Sequence, residues 1–254
     1  MENFGILSTE GVTKRFGDFT AVDGVDFCVS ENESIGIIGP NGAGKTTFLN
    51  LLTGHYAPEE GAVRFRGQDI TSVRAEKRVS MGLVRTFQIV HVFDNLSVYD
   101  NLAMAYFHKR EAKRWPIKMF FVDFRANGDI RGHVERALEE FDMTAMRNTM
   151  VGSLALGSKK KLEIAMAWIA DPAVLLLDEP FAGIGDHEID EIILVIQKIR
   201  HQKTSIIVEH KLSKLSQIVD KLAVMSEGKI IGFGQCEDTL NSAEVRKSYW
   251  KLTD

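Results

Sequence analysis

Cysteine is scarce in this chain of 254 residues: only Cys28 and Cys236 are present, far apart and without the spacing of a metal or redox site, which suits reduced, structural thiols. Long apolar runs are missing as well. None approaches the roughly 18 residues that span a bilayer. Stretches such as 173–177 are short enough to be buried strands, so the chain is not expected to cross a membrane by itself. The opening Met1-Glu2-Asn3-Phe4 lacks the positive segment and apolar stretch of a secretion signal, which points to residence in the cytoplasm. Neither charge sign dominates. A formal net charge of -4 and a pI near 6.0 give no whole-chain basic field, so nucleic acid is not expected as a partner. Internal repeats and low-complexity linkers are also lacking. What is present is 44% hydrophobic residues, enough for one large domain or a core with a subdomain.

Alternating and β-branched patterns over 6–12 and 18–30, around Gly17-Asp18, predict an antiparallel hairpin or meander. A short apolar strand at 34–38 runs into glycines, and a helix over 46–53 follows, closed by Gly54. Further strand signal lies at 62–66 and 83–86, with a polar helix near 74–80 between them. From about 97 to 170 helical periodicity dominates, which reads as a helical subdomain. Strands return at 174–177, 205–208, 222–225 and 229–233, alternating at first with helices near 188–201 and 212–219. That alternation implies a parallel sheet covered by helices.

Gly39-Pro40-Asn41-Gly42-Ala43-Gly44-Lys45-Thr46 fits G-x-x-x-x-G-K-[ST] in full, after a strand and before a helix, with Thr47 directly behind. Glycines let the backbone curl until its N–H groups converge on phosphate oxygens, and the helix points its positive end at the same anion. Lys45 is placed to neutralise β and γ oxygens and the Thr46 hydroxyl to bind Mg²⁺. Downstream, an apolar strand delivers Asp178-Glu179 at its C-terminal end, where ligands of α/β sheets bind. Asp178 suits Mg²⁺, directly or through water, and Glu179 suits the polarising of an attacking water. Gln88 and His210 also stand at the ends of expected strands.

The ordered series 39–46, Gln88, 154–158, Asp178-Glu179 and His210 resembles the ABC ATPase family along essentially the whole chain. The resemblance implies an α/β fold: a P-loop NTPase core with a mixed or parallel sheet, an N-terminal antiparallel β subdomain and a helical subdomain. Its boundaries would be 1–96 and 171–254 for the core and 97–170 for the helical part. It also implies that Phe16 stacks on adenine, that Gln88 senses Mg²⁺ and the γ-phosphate, and that His210 contacts the γ-phosphate. ATP and Mg²⁺ are the implied ligands. A second ATPase subunit and separate transmembrane permeases are the implied partners, with the chain peripheral on the inner face of the cell membrane.

Two segments depart from the family pattern. Where members carry Leu-Ser-Gly-Gly-Gln, reaching across a dimer to the partner's γ-phosphate, this sequence has Leu154-Ala155-Leu156-Gly157-Ser158. Ala155 supplies no hydroxyl, a loss worth roughly 1.5–3 kcal/mol for a bond to a charged group, although Gly157 and a helix over 158–170 would keep backbone donors. Lys159, Lys160 and Lys161 follow, either restoring positive charge or forming a solvated face. After Glu179, Gly185 replaces a common Asp, and Asp186 either shifts into that role or, the favoured reading, serves as the N-cap of the next helix. These departures suggest a heterodimer whose other member carries the better signature.

The runs 82–88, 96–102 and 162–165, the insertion to about 126, and the tail 245–250 look like the ATPases of branched-chain amino acid importers. Lipopolysaccharide export ATPases share many of these features. In such proteins the surface after Gln88 receives a permease helix, and Val92, Phe93, Leu96 and Val98 could line that groove or belong to the core. The basic and aromatic stretch 109–121 reads as a loop or a lipid contact. The competing readings are a weakly hydrolysing regulatory subunit and a soluble, non-transport ABC protein.

Overall fold

The computed structural model describes residues 5–86, 90–111 and 124–249. Gly17-Asp18 makes the expected turn, joining β1 (Leu7–Phe16) to β2 (Phe19–Val29) with Phe16 opposite Phe19. On its other edge β1 pairs antiparallel with β4 (Glu60–Phe65), which pairs with the two-residue β5 (Gln68–Asp69). The resulting four-stranded sheet has the order β2-β1-β4-β5.

The second sheet is built on β3 (Ser34–Ile38), with β8 (Thr204–Val208) and β9 (Lys221–Ser226) parallel on either side. Beyond β8 lie β7 (Val174–Asp178) and β6 (Leu83–Arg85), also parallel, while β10 (Lys229–Gln235) closes the far edge antiparallel to β9. Every residue of β3, β7 and β8 is buried, as a strand covered on both faces requires. Alternate side chains divide between two cores. Ile35, Ile37, Leu176 and Val208 join the antiparallel sheet's Leu7, Phe27 and Val63, whereas Ile38, Leu177 and Ile207 face a helical core.

That helical core is made by α3 (Val98–Glu111), α4 (Gly128–Glu140) and α5 (Leu156–Ile169), packed with α6 (Asp186–Ile199). Asn127 caps α4, its side chain accepting from the N–H groups of Asp129 and Ile130. Between the sheets sits α1 (Lys45–Thr53), ended by Gly54 in the left-handed conformation. The short α2 (Ala75–Met81) aims Arg78 at the end of α1, where the fully buried guanidinium donates to the carbonyls of Leu51 (2.7 Å) and Leu52 (2.8 Å). It also bonds Ile70, Thr71 and Val73 carbonyls, and burial pulls it down to about 10.

Four local expectations need correction. The helix expected over 212–219 is only α7 (Leu212–Leu215), because beyond it Gln217 and Ile218 bond to Lys214 and Leu215 at the tighter i to i−3 spacing. The cap of α6 is Gly185 rather than Asp186: the Glu188 carboxylate reaches back to the Gly185 N–H at 3.1 Å, leaving Asp186 as an exposed first helical residue. The signature helix begins at Leu156, since Ala155 already accepts the first helical bond from Lys159. Two short C-terminal helices, α8 (Cys236–Asn241) and α9 (Ala243–Tyr249), were not anticipated. Among the described residues no helix is long and apolar enough to cross a membrane.

Candidate functional site

The phosphate loop leaves the central strand β3 and enters α1, as the sequence predicts. Two glycines show why the backbone can pass there. A Cβ on Gly44, whose φ is +97°, would lie 2.2 Å from the Ala21 carbonyl, and one on Gly39 would lie 2.3 Å from the Met225 carbonyl. Pro40, Asn41 and Gly42 form the exposed tip, and Ala43 is buried behind it. Lys45 folds back into the loop it serves, its Nζ donating to the carbonyls of Gly39 (2.8 Å) and Pro40 (3.0 Å). Burial pushes this ammonium below its ordinary range, and Glu179 and Asp178 push it back up, so both carboxylates lie within its field. Thr46 is exposed beside Lys45, and Thr47 is half-buried.

Asp178 ends β7, almost fully buried, with its Oδ2 accepting from Arg85 Nη2 at 2.6 Å. The same guanidinium donates from Nη1 to Asn50 Oδ1 of α1 at 2.6 Å, so it ties the carboxylate strand to the phosphate-loop helix. Sequence reading missed Arg85: a cation ending a short apolar strand was visible, but its register opposite Leu176, two residues before Asp178, emerges only in the folded sheet.

Glu179 has φ +49°, a left-handed conformation rare for a residue with a Cβ. Its N–H donates to the Val208 carbonyl at 2.9 Å, and its Oε1 lies 2.9 Å from His210 Nε2. The structure thus brings together the two residues that the sequence placed at separate strand ends. Gln88 lies outside the described residues, as do Trp250 and residues 112–123 of the insertion. Phe16 is 45% exposed at the hairpin tip, edge-on to Tyr56 at 5.4 Å, so its outer surface is open for a planar ring.

The signature segment behaves differently from expectation. Gly157 N–H is not open: it donates to Glu188 Oε1 at 3.0 Å, and a Cβ there would meet that oxygen at 2.5 Å. Leu154 is half-buried against the helical core, Leu156 is 44% exposed, and Ser158 is half-buried on the first turn. The three lysines do not form a solvated face either. Lys160 and Lys161 are buried, and Lys159 pairs with Asp94 at 2.8 Å. Lys160 donates to the Glu179 carbonyl at 3.2 Å, and Lys161 faces Glu191 at 3.4 Å.

A groove of about 750 Å³ opens beside β6, lined by Val79, Met81, Arg85, Phe93, Met104 and Met166 among others. Of the apolar cluster expected there, Phe93 lines it at 51% exposure, whereas Val98 belongs to the core.

The donors at the end of β7 and the start of α1 are a carboxylate and a hydroxyl, hard oxygens that fit Mg²⁺ rather than a soft, thiolate-seeking metal.

The family model for ABC transporters matches residues 22–182. The high-affinity branched-chain amino acid transport ATP-binding protein BraF of Pseudomonas aeruginosa is 35% identical, covering 96% of this chain and 97% of that protein. LivG of Escherichia coli, of the same description, is 32% identical over 96% and 97%. The ADP conformation of MJ1267, an ATP-binding cassette of an ABC transporter, superposes with a TM-score of 0.81 at 29% identity, covering 98% of this chain and 100% of that one. With the loop, the strand-end carboxylates and the fold in agreement, the chain belongs to the ABC transporter family as an ATP-hydrolysing, ATP-binding subunit.

Proposed function

We propose that the chain binds Mg-ATP on residues 39–47 and hydrolyses it at the interface of a cassette pair, driving separate permease subunits in the uptake of branched-chain amino acids or a related small polar solute. The observation that carries this reading is the Glu179–His210 contact at 2.9 Å, set beside a lysine that feels both strand-end carboxylates. Glu179 orients and deprotonates the attacking water, and His210 donates a hydrogen bond to the γ-phosphate as charge develops. Lys45 exchanges its two loop carbonyls for phosphate oxygens, aided by the backbone amides of Gly42, Ala43 and Gly44. Bound Mg²⁺ would neutralise β and γ oxygens, held by Thr46 and Asp178, with Gln88 as a further ligand. Phe16 stacks on the adenine.

The second ATPase is read as a different chain. Ala155 lacks the signature hydroxyl and the Gly157 amide is engaged by Glu188, so this subunit is a poor donor to a partner's nucleotide. The groove beside β6 suits a permease helix, with Phe93 and three methionines, Met81, Met104 and Met166, among its apolar contacts. The helical portion 97–170 moves against the core of 1–96 and 171–254 as the pair closes. The chain is accordingly peripheral on the inner membrane face, without a nucleic-acid partner.

The test is purification of the native complex from membranes. Two polytopic subunits and a second ATPase should co-purify, and Lys45→Ala in this chain should abolish Mg-ATP binding at its site and stop transport. Recovery with ribosomes or DNA, or unaltered transport by Lys45→Ala, would overturn the reading.

A further inference from the structure

Two buried charged side chains beside the Glu179–His210 pair are not accounted for by nucleotide binding. Glu209 is 3% exposed and Lys160 is 5% exposed, as deeply buried as Asp178 and Lys45. Buried carboxylates and ammoniums are costly unless each oxygen and proton is used. Both Glu209 oxygens are used on backbone, and Lys160 makes a backbone contact of its own. Glu209 Oε1 accepts from the Phe181 N–H at 2.6 Å, and Oε2 accepts from the His210 N–H at 3.0 Å. Its own N–H donates to the Ile37 carbonyl of β3 at 3.2 Å, one residue before the end of the strand that runs into the phosphate loop. Lys160, on the signature helix, holds the Glu179 carbonyl at 3.2 Å.

Glu179 is therefore fixed on both sides of its left-handed backbone. Its N–H is bound by the Val208 carbonyl, its carbonyl by the Ala182 N–H at 3.0 Å and by Lys160, and the amide two residues on by Glu209. A non-glycine residue at positive φ persists only where its surroundings over-determine it. The same Glu209 carboxylate sets the amide of His210, so one side chain spaces both members of the 2.9 Å pair. Glu209 also supports the buried charge of Lys160. Burial raises the Glu209 carboxyl and lowers the Lys160 ammonium, and Glu209 is among the carboxylates that push Lys160 back up.

From this geometry we infer that Glu209 is a positioning residue for hydrolysis, acting with Lys160 to hold Glu179 against His210. The inference rests on the proposed role of Glu179 as the group that readies water. A carboxylate suits the task because it offers two acceptor oxygens and no donor to the N–H groups of Phe181 and His210, with the Lys211 N–H also favouring its charge. Glutamine retains one acceptor, so it should satisfy Phe181 while turning a donor toward His210. Lys160 extends the clamp to the signature helix, so a shift of that helix is felt at the Glu179 backbone.

The experiment measures steady-state hydrolysis and fluorescent-nucleotide binding in the native transporter complex carrying Glu179→Gln, His210→Ala, Glu209→Gln, Glu209→Ala or the pair Glu209→Gln/His210→Ala. Misplacement of a reacting group by an ångström costs up to about 100-fold. Glu209→Ala should therefore lower kcat by about 10- to 100-fold with KM and nucleotide Kd little changed, and Glu209→Gln should recover part of that loss. In the His210→Ala background Glu209→Gln should add almost nothing, because both act on one contact. If Glu209→Ala fails to fold, Glu209→Gln carries the test alone. Should Glu179→Gln silence the complex while Glu209→Gln leaves kcat at the wild-type level, or multiply fully with His210→Ala, the inference fails alone. Should Glu179→Gln hydrolyse normally, the reading beneath it fails too.

Discussion

Arg78→Met should destabilise the chain severely although residue 78 touches none of the proposed site residues. The guanidinium is fully buried and donates to five backbone carbonyls, two of them at the C-terminal end of α1. Carbonyls there have no intrahelical donor, and a cation is favoured by the helix dipole. Methionine fills much of the volume but donates nothing. Leu51 and Ile70 still accept from the N–H groups of Gly54 and Val73, whereas Leu52, Thr71 and Val73 lose the donor that the guanidinium gave them. One buried acceptor and two half-buried ones, stranded at about 1–2 kcal/mol apiece with some relief as water enters, give a loss of about 3–5 kcal/mol. For a chain of this size each kcal/mol moves the midpoint by roughly 2–4 °C. Thermal unfolding followed by circular dichroism should fall by roughly 6–20 °C. Arg78→Lys should rescue little, since one ammonium cannot reproduce a fork spread over five acceptors. A loss below about 1 kcal/mol in Arg78→Met would refute the claim that these carbonyls depend on the arginine.

Two further outcomes follow from buried contacts of the site. Arg85→Met strands the Asp178 carboxylate in a nearly dry position, which should cost roughly 3–5 kcal/mol in urea unfolding; a variant as stable as the parent would show that Asp178 finds another partner. Gly44→Ala drives a Cβ to 2.2 Å from the Ala21 carbonyl at a φ of +97°. It should weaken nucleotide binding by more than about tenfold by fluorescence titration, and an unchanged Kd would mean that the loop has room to yield.

The phosphate loop was legible because its chemistry is local. Eight adjacent residues carry the glycines, the lysine and the hydroxyl, and the apolar runs on either side fix strand and helix. Asp178 and Glu179 were legible for the same reason, and the Glu179–His210 meeting followed from two strands ending at one edge of a parallel sheet. Arg78 was not legible. Its acceptors come from residues 51, 52, 70, 71 and 73, and only the packed fold gathers them. Lys160 and Lys161 read either as charge restored near the phosphate or as a solvated face, because three consecutive lysines do not show which of them is pressed against the loop after β7. The α6 cap was misplaced by one residue because Glu188 overrode the local preference of Asp186, and in doing so took the Gly157 amide as well.

The left-handed turn at Glu179 carries a thermodynamic consequence of its own. An L-residue there costs roughly 1–2 kcal/mol that glycine would not incur, so the fold tolerates a local penalty at the point where its carboxylate is wanted. Glu179→Gly would relieve it, offset by the roughly 0.5–1 kcal/mol of extra backbone entropy that glycine loses on folding and by loss of the His210 contact. If Glu179 readies water as proposed, local backbone ease and turnover are set against each other at a single torsion.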